Sequence, residues 1–183
     1  MSDKRTAIVT GGASGIGAAC VRRFLKDGIS VIALDLNESL LKKMQSDLNN
    51  PKLHLVAGDV CDETVRGKAI ELAVSKGGSL DILVNNAAVF LLSGIDATRE
   101  QWQKTFEVNL LAGANLVTQS LSQLRKSVNP AIVNIASISA HRAQTGRWTY
   151  NAMKGALLEL TKCQALDLSK DRIRVNSVSP GWI

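Results

Sequence analysis

Two residues with complementary acid–base chemistry, Tyr150 and Lys154, lie four positions apart in the sequence. Residues at this spacing share one face of a helix, so a phenol and an ammonium group can point into the same cavity. A nearby cation favours the ionised form of a phenol, and a side chain that exchanges protons near the working pH is a general acid/base. The pair alone is a weak signal, because a surface tyrosine beside a solvated lysine has the same spacing. Ser137, 13 residues before Tyr150, adds a hydroxyl group to the pattern.

A glycine-rich turn over residues 10–17 has the spacing T-G-x-x-x-G-x-G. Glycine allows the backbone to approach a pyrophosphate closely, and a helix that begins there supplies free N–H groups. Because this turn joins an apolar segment to a helical pattern, it predicts a dinucleotide site rather than a plain strand–helix connection. The residues expected at that site are Gly11, Ser14, Gly15, Ile16 and Gly17.

Asp35 ends the second apolar segment, at the distance from the glycine turn where a carboxylate meets the adenosine ribose. A carboxylate accepts hydrogen bonds from ribose hydroxyls and repels a 2′-phosphate. The neighbouring Leu36, Ala13 and Ser14 offer no cation for such a phosphate. The sequence therefore favours NAD(H) over NADP(H) as the cofactor, with a helix N-cap role for Asp35 as the alternative.

Short apolar segments alternate with longer amphipathic ones along the whole chain. The predicted strands are 7–10, 30–35, 53–57, 82–85, 131–136 and 173–178, and the predicted helices are 15–27, 38–48, 63–76, 98–126 and 148–168. The strand segments lack sustained polar alternation, which is typical of parallel strands covered on both faces. This order predicts one α/β domain over residues 1–183, with a doubly wound, Rossmann-like parallel sheet of six strands.

The composition narrows the classes of partner. Of 183 residues, 45% are apolar and 21% are charged, as in soluble globular proteins. The net charge of +6 comes from scattered basic residues, so we expect no nucleic-acid partner. Three cysteines without a C-x-x-C motif and two histidines predict no metal site and a reducing, cytoplasmic setting. We expect neither a membrane span nor a signal peptide.

Taken together, these motifs resemble the short-chain dehydrogenase/reductase family over essentially the whole chain. The resemblance rests on residues 10–17, Asp59-Val60, Asn85-Asn86-Ala87-Ala88, Asn109, Ser137, Tyr150 with Lys154, and Pro180-Gly181. It implies an oxidoreductase that transfers a hydride between a nicotinamide cofactor and a secondary alcohol or ketone. The alternative is a non-catalytic dinucleotide-binding protein or an inactive fragment of a longer enzyme.

The family's catalytic roles carry over to four residues. Tyr150 would be the general acid/base and would also contact the cofactor, and Lys154 would favour its phenolate and bind the nicotinamide ribose. Ser137 would hydrogen bond the substrate oxygen, with Ser139 as its local rival. Asn109 would hold a water that continues the proton path from Lys154, unless it merely bends a long helix.

The resemblance also assigns further cofactor contacts. Asp59 and Val60 would frame the adenine, and residues 85–87 would line the cofactor cleft after the fourth strand. For Asn85, the alternative is a role in fold integrity. The last cofactor contacts would lie along the nicotinamide, at Pro180, Gly181 and Ile183.

Two features depart from the family pattern. Ala88 stands where the family usually has glycine, and the chain ends at Ile183 where members usually continue into a substrate loop, a helix pair and a seventh strand. We therefore expect a fragment or shortened form of a longer enzyme, in which residues 173–178 form an exposed apolar sheet edge.

Further positions predict the substrate pocket and the oligomer. The candidate substrate-pocket residues are Val89, Phe90, Leu91, His141, Gln144, Trp148 and Trp182. Arg142 and Arg147 would either contact an anionic substrate or lie on the surface. A sugar, a steroid, a 3-oxoacyl thioester and a cyclic diol all remain open. Apolar positions beyond one core-facing stripe predict a homodimer through helices 98–126 and 148–168: Leu110, Leu111, Leu116, Val117, Leu121, Leu157, Leu158 and Leu160.

Overall fold

A computed structural model describes residues 5–182 and shows a parallel sheet between two layers of helices. The strands are β1 (Thr6–Thr10), β2 (Ser30–Asp35), β3 (Leu53–Ala57), β4 (Ile82–Asn85), β5 (Ala131–Ile135) and β6 (Arg174–Val178). Their order across the sheet is β3-β2-β1-β4-β5-β6, and every pair is parallel. The predicted six-stranded, doubly wound α/β fold is confirmed.

Six α-helices accompany the strands in the described part of the chain. They are α1 (Gly15–Lys26), α2 (Glu38–Leu48), α3 (Glu63–Leu72), α4 (Arg99–Phe106), α5 (Ala112–Leu124) and α6 (Trp148–Asp167). Short 3-10 turns cover Ile138–Ala140 and Ser169–Asp171. The predicted helix boundaries agree closely for α1, α2 and α6.

Two helices that the sequence predicts as continuous contain π-helical segments. Ala73–Gly77 follows α3, and Glu107–Leu111 separates α4 from α5. A π turn holds one residue more than an α turn, and it arises where a contact pulls the backbone out of the regular ladder. In the second segment that contact is visible, because the Asn109 side chain hydrogen bonds to the Val89 backbone in a neighbouring loop. Apolar periodicity carries no information about such a contact.

The central strands are buried on both faces, which explains their near-continuous apolar sequences. On one face, Ile8, Ile32 and Leu83 pack in a core that includes residues of α3 and α5. On the other face, Val9 and Ala33 pack in a core that includes residues of α1 and α2. Successive side chains of each strand therefore enter two different cores.

Strand β6 differs from the exposed apolar sheet edge that the sequence predicts over residues 173–178. Val175 and the preceding Ile173 are buried, whereas the alternate residues Arg174, Asn176 and Val178 are exposed. The strand is the edge of the described sheet, but two of its three exposed side chains are polar. Val178 is the one apolar residue on the exposed face, so the segment is less apolar at this edge than its valines and isoleucine suggest.

Several apolar positions predicted for a dimer surface are in the subunit core instead. Leu116, Val117 and Leu157 are buried, and Leu121 packs against the same core. α5 packs against α3 as well as the sheet, and α6 packs against α4 as well as β6, so the core-facing stripe of each helix is wider than a single row. Leu110, Leu158 and Leu160 are half-buried, and Leu111 is exposed.

Two glycines make the turn after β1 sterically feasible. Gly15 has a φ of +50°, a region that side chains rarely adopt. Gly17 lies in the first turn of α1, where a Cβ would stand 2.0 Å from the carbonyl oxygen of Gly11 and 2.6 Å from Nδ2 of Asn86. The turn can therefore pack tightly against the loop after β4 only with glycine at position 17.

The Gly17→Ala variant should destabilise the fold, because its Cβ overlaps main-chain atoms that cannot move independently. We expect the free energy of unfolding to fall by about 2–3 kcal/mol, measured by urea denaturation followed by circular dichroism. Gly67→Ala is the matched control in α3, where a Cβ meets nothing within 4 Å. That control should gain about 0.5–1 kcal/mol from helix propensity. Equal changes in the two variants would contradict the packing role of Gly17.

Candidate functional site

A cleft of about 390 Å³ opens at the carboxyl ends of β1, β2, β3 and β4. It lies where the strand order reverses about β1, the place where open α/β sheets bind ligands. The predicted cofactor residues that line it are Gly11, Ser14, Gly15, Ile16, Asp35, Asp59, Val60, Asn86 and Ala87. The structure therefore brings together residues from four separate stretches of the chain.

The N-terminus of α1 faces this cleft with its backbone donors uncapped. Ser14 is the N-cap but makes no side-chain capping hydrogen bond, and the first turn carries no acidic residue. The first N–H groups of a helix have no partner within the helix and attract anions. A Cβ placed on Gly15 would meet nothing within 4 Å, so the approach to these donors is open. These features fit a pyrophosphate group.

Asp35 projects a carboxylate into the cleft from the end of β2. Its Oδ2 accepts a hydrogen bond from the Ala13 N–H at 3.0 Å, and its Oδ1 accepts one from the Asn37 N–H at 2.9 Å. The N-cap of α2 is Asn37, whose side chain accepts from the Leu40 N–H. The alternative N-cap role for Asp35 is therefore wrong, and the carboxylate is held in place at the cleft wall.

Asn86 connects the glycine turn to the end of β4. Its Nδ2 donates to the carbonyl oxygens of Thr10 and Gly11, at 2.9 and 3.1 Å. The Thr10 hydroxyl oxygen in turn accepts from the N–H groups of Asn86 and Ala87, both at 3.0 Å. Asn86 therefore shapes the cleft as well as lining it, a role that sequence spacing did not reveal.

Asn85 belongs to a buried polar network beneath the cleft. Its Nδ2 donates to Oδ1 of Asn134, and Nδ2 of Asn134 donates to Thr161 and Gln164 on α6. This geometry supports the fold-integrity alternative, since the network ties β4 and β5 to α6. The Oδ1 of Asn85 is buried and has no hydrogen-bond partner among the described residues.

Lys104 is a cleft residue that the sequence analysis missed. It reaches the cleft from α4, and its Nζ lies 3.5 Å from Oδ2 of Asp59. Hydrogen bonding from the Cys61 N–H holds the pKa of the Asp59 carboxyl below its usual value, and Lys104 acts in the same direction. Burial, with help from Asp59, raises the pKa of the Cys61 thiol to about 11. No local motif marks Lys104, because only the fold brings α4 beside the loop after β3.

A second, smaller cavity of about 150 Å³ contains the predicted hydroxyl groups of Ser137 and Tyr150. The Ser137 Oγ accepts from the Ser139 N–H at 3.1 Å, so its own O–H remains available as a donor. The Ser139 hydroxyl is already used, because it donates to Oε1 of Gln144 at 2.7 Å. Of the two serines, Ser137 is the one free to donate to a ligand.

Lys154 is buried beneath Tyr150 on α6. Its Nζ lies 5.7 Å from the centre of the Tyr150 ring and donates to the Ile135 carbonyl oxygen at 2.6 Å. No described carboxylate lies within ion-pair distance. Burial therefore lowers the pKa of Lys154 from 10.5 to about 8.

Asn109 lies at the centre of the π segment that joins α4 to α5. Its Oδ1 accepts from the Val89 N–H at 2.7 Å, and its Nδ2 donates to the Val89 carbonyl at 2.9 Å. A small cavity of about 10 Å³ touches Asn109, Lys154 and Asn85. Its size is close to the roughly 10–15 Å³ that one water requires.

The other described residues predicted to bind the cofactor lie outside the large cleft. Tyr150 and Lys154 border the smaller cavities rather than the large cleft. Gly17 is buried behind the glycine turn, and Gly181 lines the cavity of Ser137 and Tyr150. The carbonyl oxygen of Pro180 accepts from the Ile138 N–H at 3.0 Å. Ile183 lies outside the described residues.

The residues predicted for the substrate pocket are divided among several cavities. Phe90, Gln144 and Trp182 share the cavity of Ser137 and Tyr150, together with Arg147. Val89 lines the large cleft instead. An adjoining outer cavity contains His141, Trp148 and Arg142, and Leu91 lines none of these spaces.

Comparison with known proteins gives the family. The family model for short chain dehydrogenase matches residues 5–183. The chain belongs to the short-chain dehydrogenase family. The catalytic and cofactor residues predicted above therefore lie in a recognised oxidoreductase scaffold.

Individual relatives of this short-chain dehydrogenase are longer than the chain itself. An uncharacterised oxidoreductase of Thermotoga maritima is 34% identical over 186 residues, which cover 100% of this chain and 73% of the relative. The mouse L-fucose dehydrogenase is 35% identical over 98% of this chain and 65% of its own length. The crystal structure of a 3-ketoacyl-(acyl-carrier-protein) reductase from Brucella melitensis, complexed with NADH, has a TM-score of 0.91 and 27% identity. It matches 97% of this chain and 75% of that one.

Within residues 5–182 of this short-chain dehydrogenase, no group of three or more His, Cys, Asp or Glu side chains is placed to hold a metal ion. None of the helices there is long and apolar enough to cross a membrane.

The buried ammonium of Lys154 should make stability depend on pH. The folded pKa of about 8 lies below the unfolded value, so between these values the unfolded chain binds more protons and the free energy of unfolding rises with pH. This contribution amounts to about 3 kcal/mol by pH 10.5. Urea denaturation at pH 7.5 and pH 10 should show the rise in the wild type and not in Lys154→Met. Lys162→Met, an exposed position on the same helix, should retain it. An identical pH dependence in Lys154→Met would contradict the assignment.

Proposed function

We propose that this short-chain dehydrogenase catalyses the NAD(H)-linked interconversion of a secondary alcohol and a ketone. The observation that carries the proposal is the convergence of Ser137 and Tyr150 on one small cavity, with the carboxylate-free cation of Lys154 buried beneath Tyr150. Residues 1–183 form a single dinucleotide-binding domain in this proposal. The protein works in the cytoplasm.

The large cleft holds the cofactor. The N-terminus of α1 binds the pyrophosphate, Asp35 accepts hydrogen bonds from the adenosine ribose, and Asp59 with Val60 borders the adenine. A bound nicotinamide supplies the hydride acceptor or donor. Support for NAD(H) rather than NADP(H) comes from the carboxylate of Asp35 at the cleft wall, which would meet a 2′-phosphate with like charge. The similar Brucella reductase was crystallised with NADH.

Tyr150 and Ser137 handle the substrate oxygen. In the reducing direction the Tyr150 phenol gives its proton to the ketone oxygen, and in the oxidising direction its phenolate accepts the alcohol proton. The free O–H of Ser137 donates a hydrogen bond to the same oxygen and stabilises the charge that develops there. Both residues line the same cavity.

Lys154 supports the tyrosine electrostatically. Its positive charge, close to the ring and poorly solvated, favours the phenolate form of Tyr150. An ammonium has three donors, and the Ile135 carbonyl uses one. The remaining two are available for the nicotinamide ribose and for a water. We expect that water in the small cavity beside Asn109, where the unpaired Oδ1 of Asn85 offers an acceptor.

The homodimer remains a prediction for the surface formed by α4, α5 and α6. With Leu116, Val117 and Leu157 in the core, the apolar side chains exposed on these helices include Phe106, Leu111 and Leu166. We propose that a second copy covers part of this surface.

Tyr150→Phe removes the proton donor while keeping the ring. We expect kcat for ketone reduction to fall by about 10²–10⁴, the usual contribution of a general acid. The Kd of NADH should stay within about threefold, because most of the cofactor lies in the large cleft, which Tyr150 does not line. Steady-state kinetics and calorimetry measure the two effects. Unchanged turnover would exclude the mechanism, and NADH binding without turnover in the wild type would favour the non-catalytic alternative.

Asp35→Asn tests the choice of cofactor. The amide oxygen can still accept from one backbone N–H, but the negative charge that opposes a 2′-phosphate is gone. The ratio of the Kd of NADPH to that of NADH should fall by about 30-fold, since like charges at a contact cost several kcal/mol before solvent screening. Asp47→Asn, an exposed residue of α2 outside the cleft, makes the same charge change and should leave the ratio unaltered. A wild type that prefers NADPH would refute the assignment of Asp35.

A further inference from the structure

Arg147 is the only charged side chain among the described residues that line the cavity of Ser137 and Tyr150. It is half-buried and immediately precedes α6. Its guanidinium carbon lies 4.9 Å from the centre of the Phe90 ring and 4.6 Å from that of Trp182. Such contacts with aromatic rings restrict the position of the guanidinium group.

The same guanidinium has hydrogen-bonding capacity left over. It has five N–H donors, of which one, on Nη1, reaches Oε1 of Gln144 at 3.0 Å. No described carboxylate pairs with Arg147, whereas Arg23 and Arg125 each have an aspartate partner. A cation that is held in place beside a ligand cavity, without an anion, is suited to bind one.

The cavity restricts what that anion can be. Its walls combine apolar surface from Phe90 and Trp182 with the polar residues Ser137 and Tyr150. A ligand that satisfies all of them has one alcohol or ketone oxygen and one anionic group. The planar fork of a guanidinium matches the two oxygens of a carboxylate.

We propose that the substrate is a hydroxy acid or oxo acid, with its carboxylate on Arg147 and its alcohol or ketone oxygen on Ser137 and Tyr150. This rests on the function proposed above. In oxidation, the C–H bond of the secondary alcohol breaks and its hydride passes to the oxidised nicotinamide, while the O–H proton passes to Tyr150. The product is the oxo acid, and reduction reverses both transfers.

Arg142 provides a matched control for the charge. It is exposed and borders only the outer cavity that contains His141 and Trp148. Arg142→Met and Arg147→Met remove the same charge from neighbouring parts of the chain. Only Arg147→Met removes it from the cavity of Ser137 and Tyr150.

The kinetic test compares 3-oxobutanoate and 4-oxopentanoate with their uncharged methyl esters, with NADH as the reductant. The wild type should prefer at least one acid over its ester. Arg147→Met should lower kcat/KM for that acid by about 100-fold, mainly through KM, and change the ester by less than about threefold. Arg142→Met should change neither, and Arg147→Lys should fall between, because it keeps the charge without the fork. Esters that equal or exceed both acids in the wild type, or an equal loss for acid and ester in Arg147→Met, would overturn the proposal.

A binding test separates this proposal from the proposed reaction. Saturation-transfer NMR should detect butanoate but not butanamide on the wild type, with and without NADH, and should lose butanoate in Arg147→Met. Binding of butanoate through Arg147 without turnover of any ketone would refute the reaction and leave the carboxylate site standing. Turnover of neutral ketones without butanoate binding would do the reverse.

Discussion

The hydroxyl group of Thr10 joins the two strands between which the cleft opens. It accepts hydrogen bonds from the first two backbone N–H groups after β4, while the amide of Asn86 returns two hydrogen bonds to the end of β1. These hydrogen bonds pair the polar main-chain groups at the carboxyl ends of β1 and β4. They also hold the glycine turn against the loop after β4. The position of α1, and with it the uncapped N–H groups that face the cleft, depends on this connection.

Lys154 shows that the molecule gives up stability at its proposed active site. An ammonium group buried without a carboxylate is unfavourable, and the single hydrogen bond to Ile135 compensates for it only in part. A carboxylate partner would offset this cost, but it would also cancel the positive charge that, in the proposed mechanism, acts on Tyr150. The buried hydrogen bonds of Asn85, Asn134 and Thr161 tie β4 and β5 to α6, the helix that carries this charge.

Much of the fold follows from local sequence, because apolar periodicity, glycine and proline placement report on backbone conformation directly. Parallel order and the cleft at the reversal of strand order follow from the strand–helix alternation. Contacts between distant segments do not follow from local sequence. Lys104 enters the cleft only through the packing of α4, and Arg147, unlike the exposed Arg142, borders the cavity of Ser137 and Tyr150 and contacts Phe90 and Trp182. The dimer surface was misread at Leu116, Val117 and Leu157, since periodicity distinguishes apolar faces but not their partners.

The π turn at Glu107–Leu111 also makes the length of this segment matter. Each residue advances a helix by about 100°, and a π turn absorbs one residue that a regular α-helix has no room for. Because the extra residue is accommodated locally, deleting it would restore a continuous α-helix and leave Leu116 and Leu124 of α5 directed at the core. The deletion would instead remove the bulge from which Asn109 reaches the Val89 backbone, and with it the wall of the small cavity beside Lys154. The additional residue therefore serves the site rather than the core.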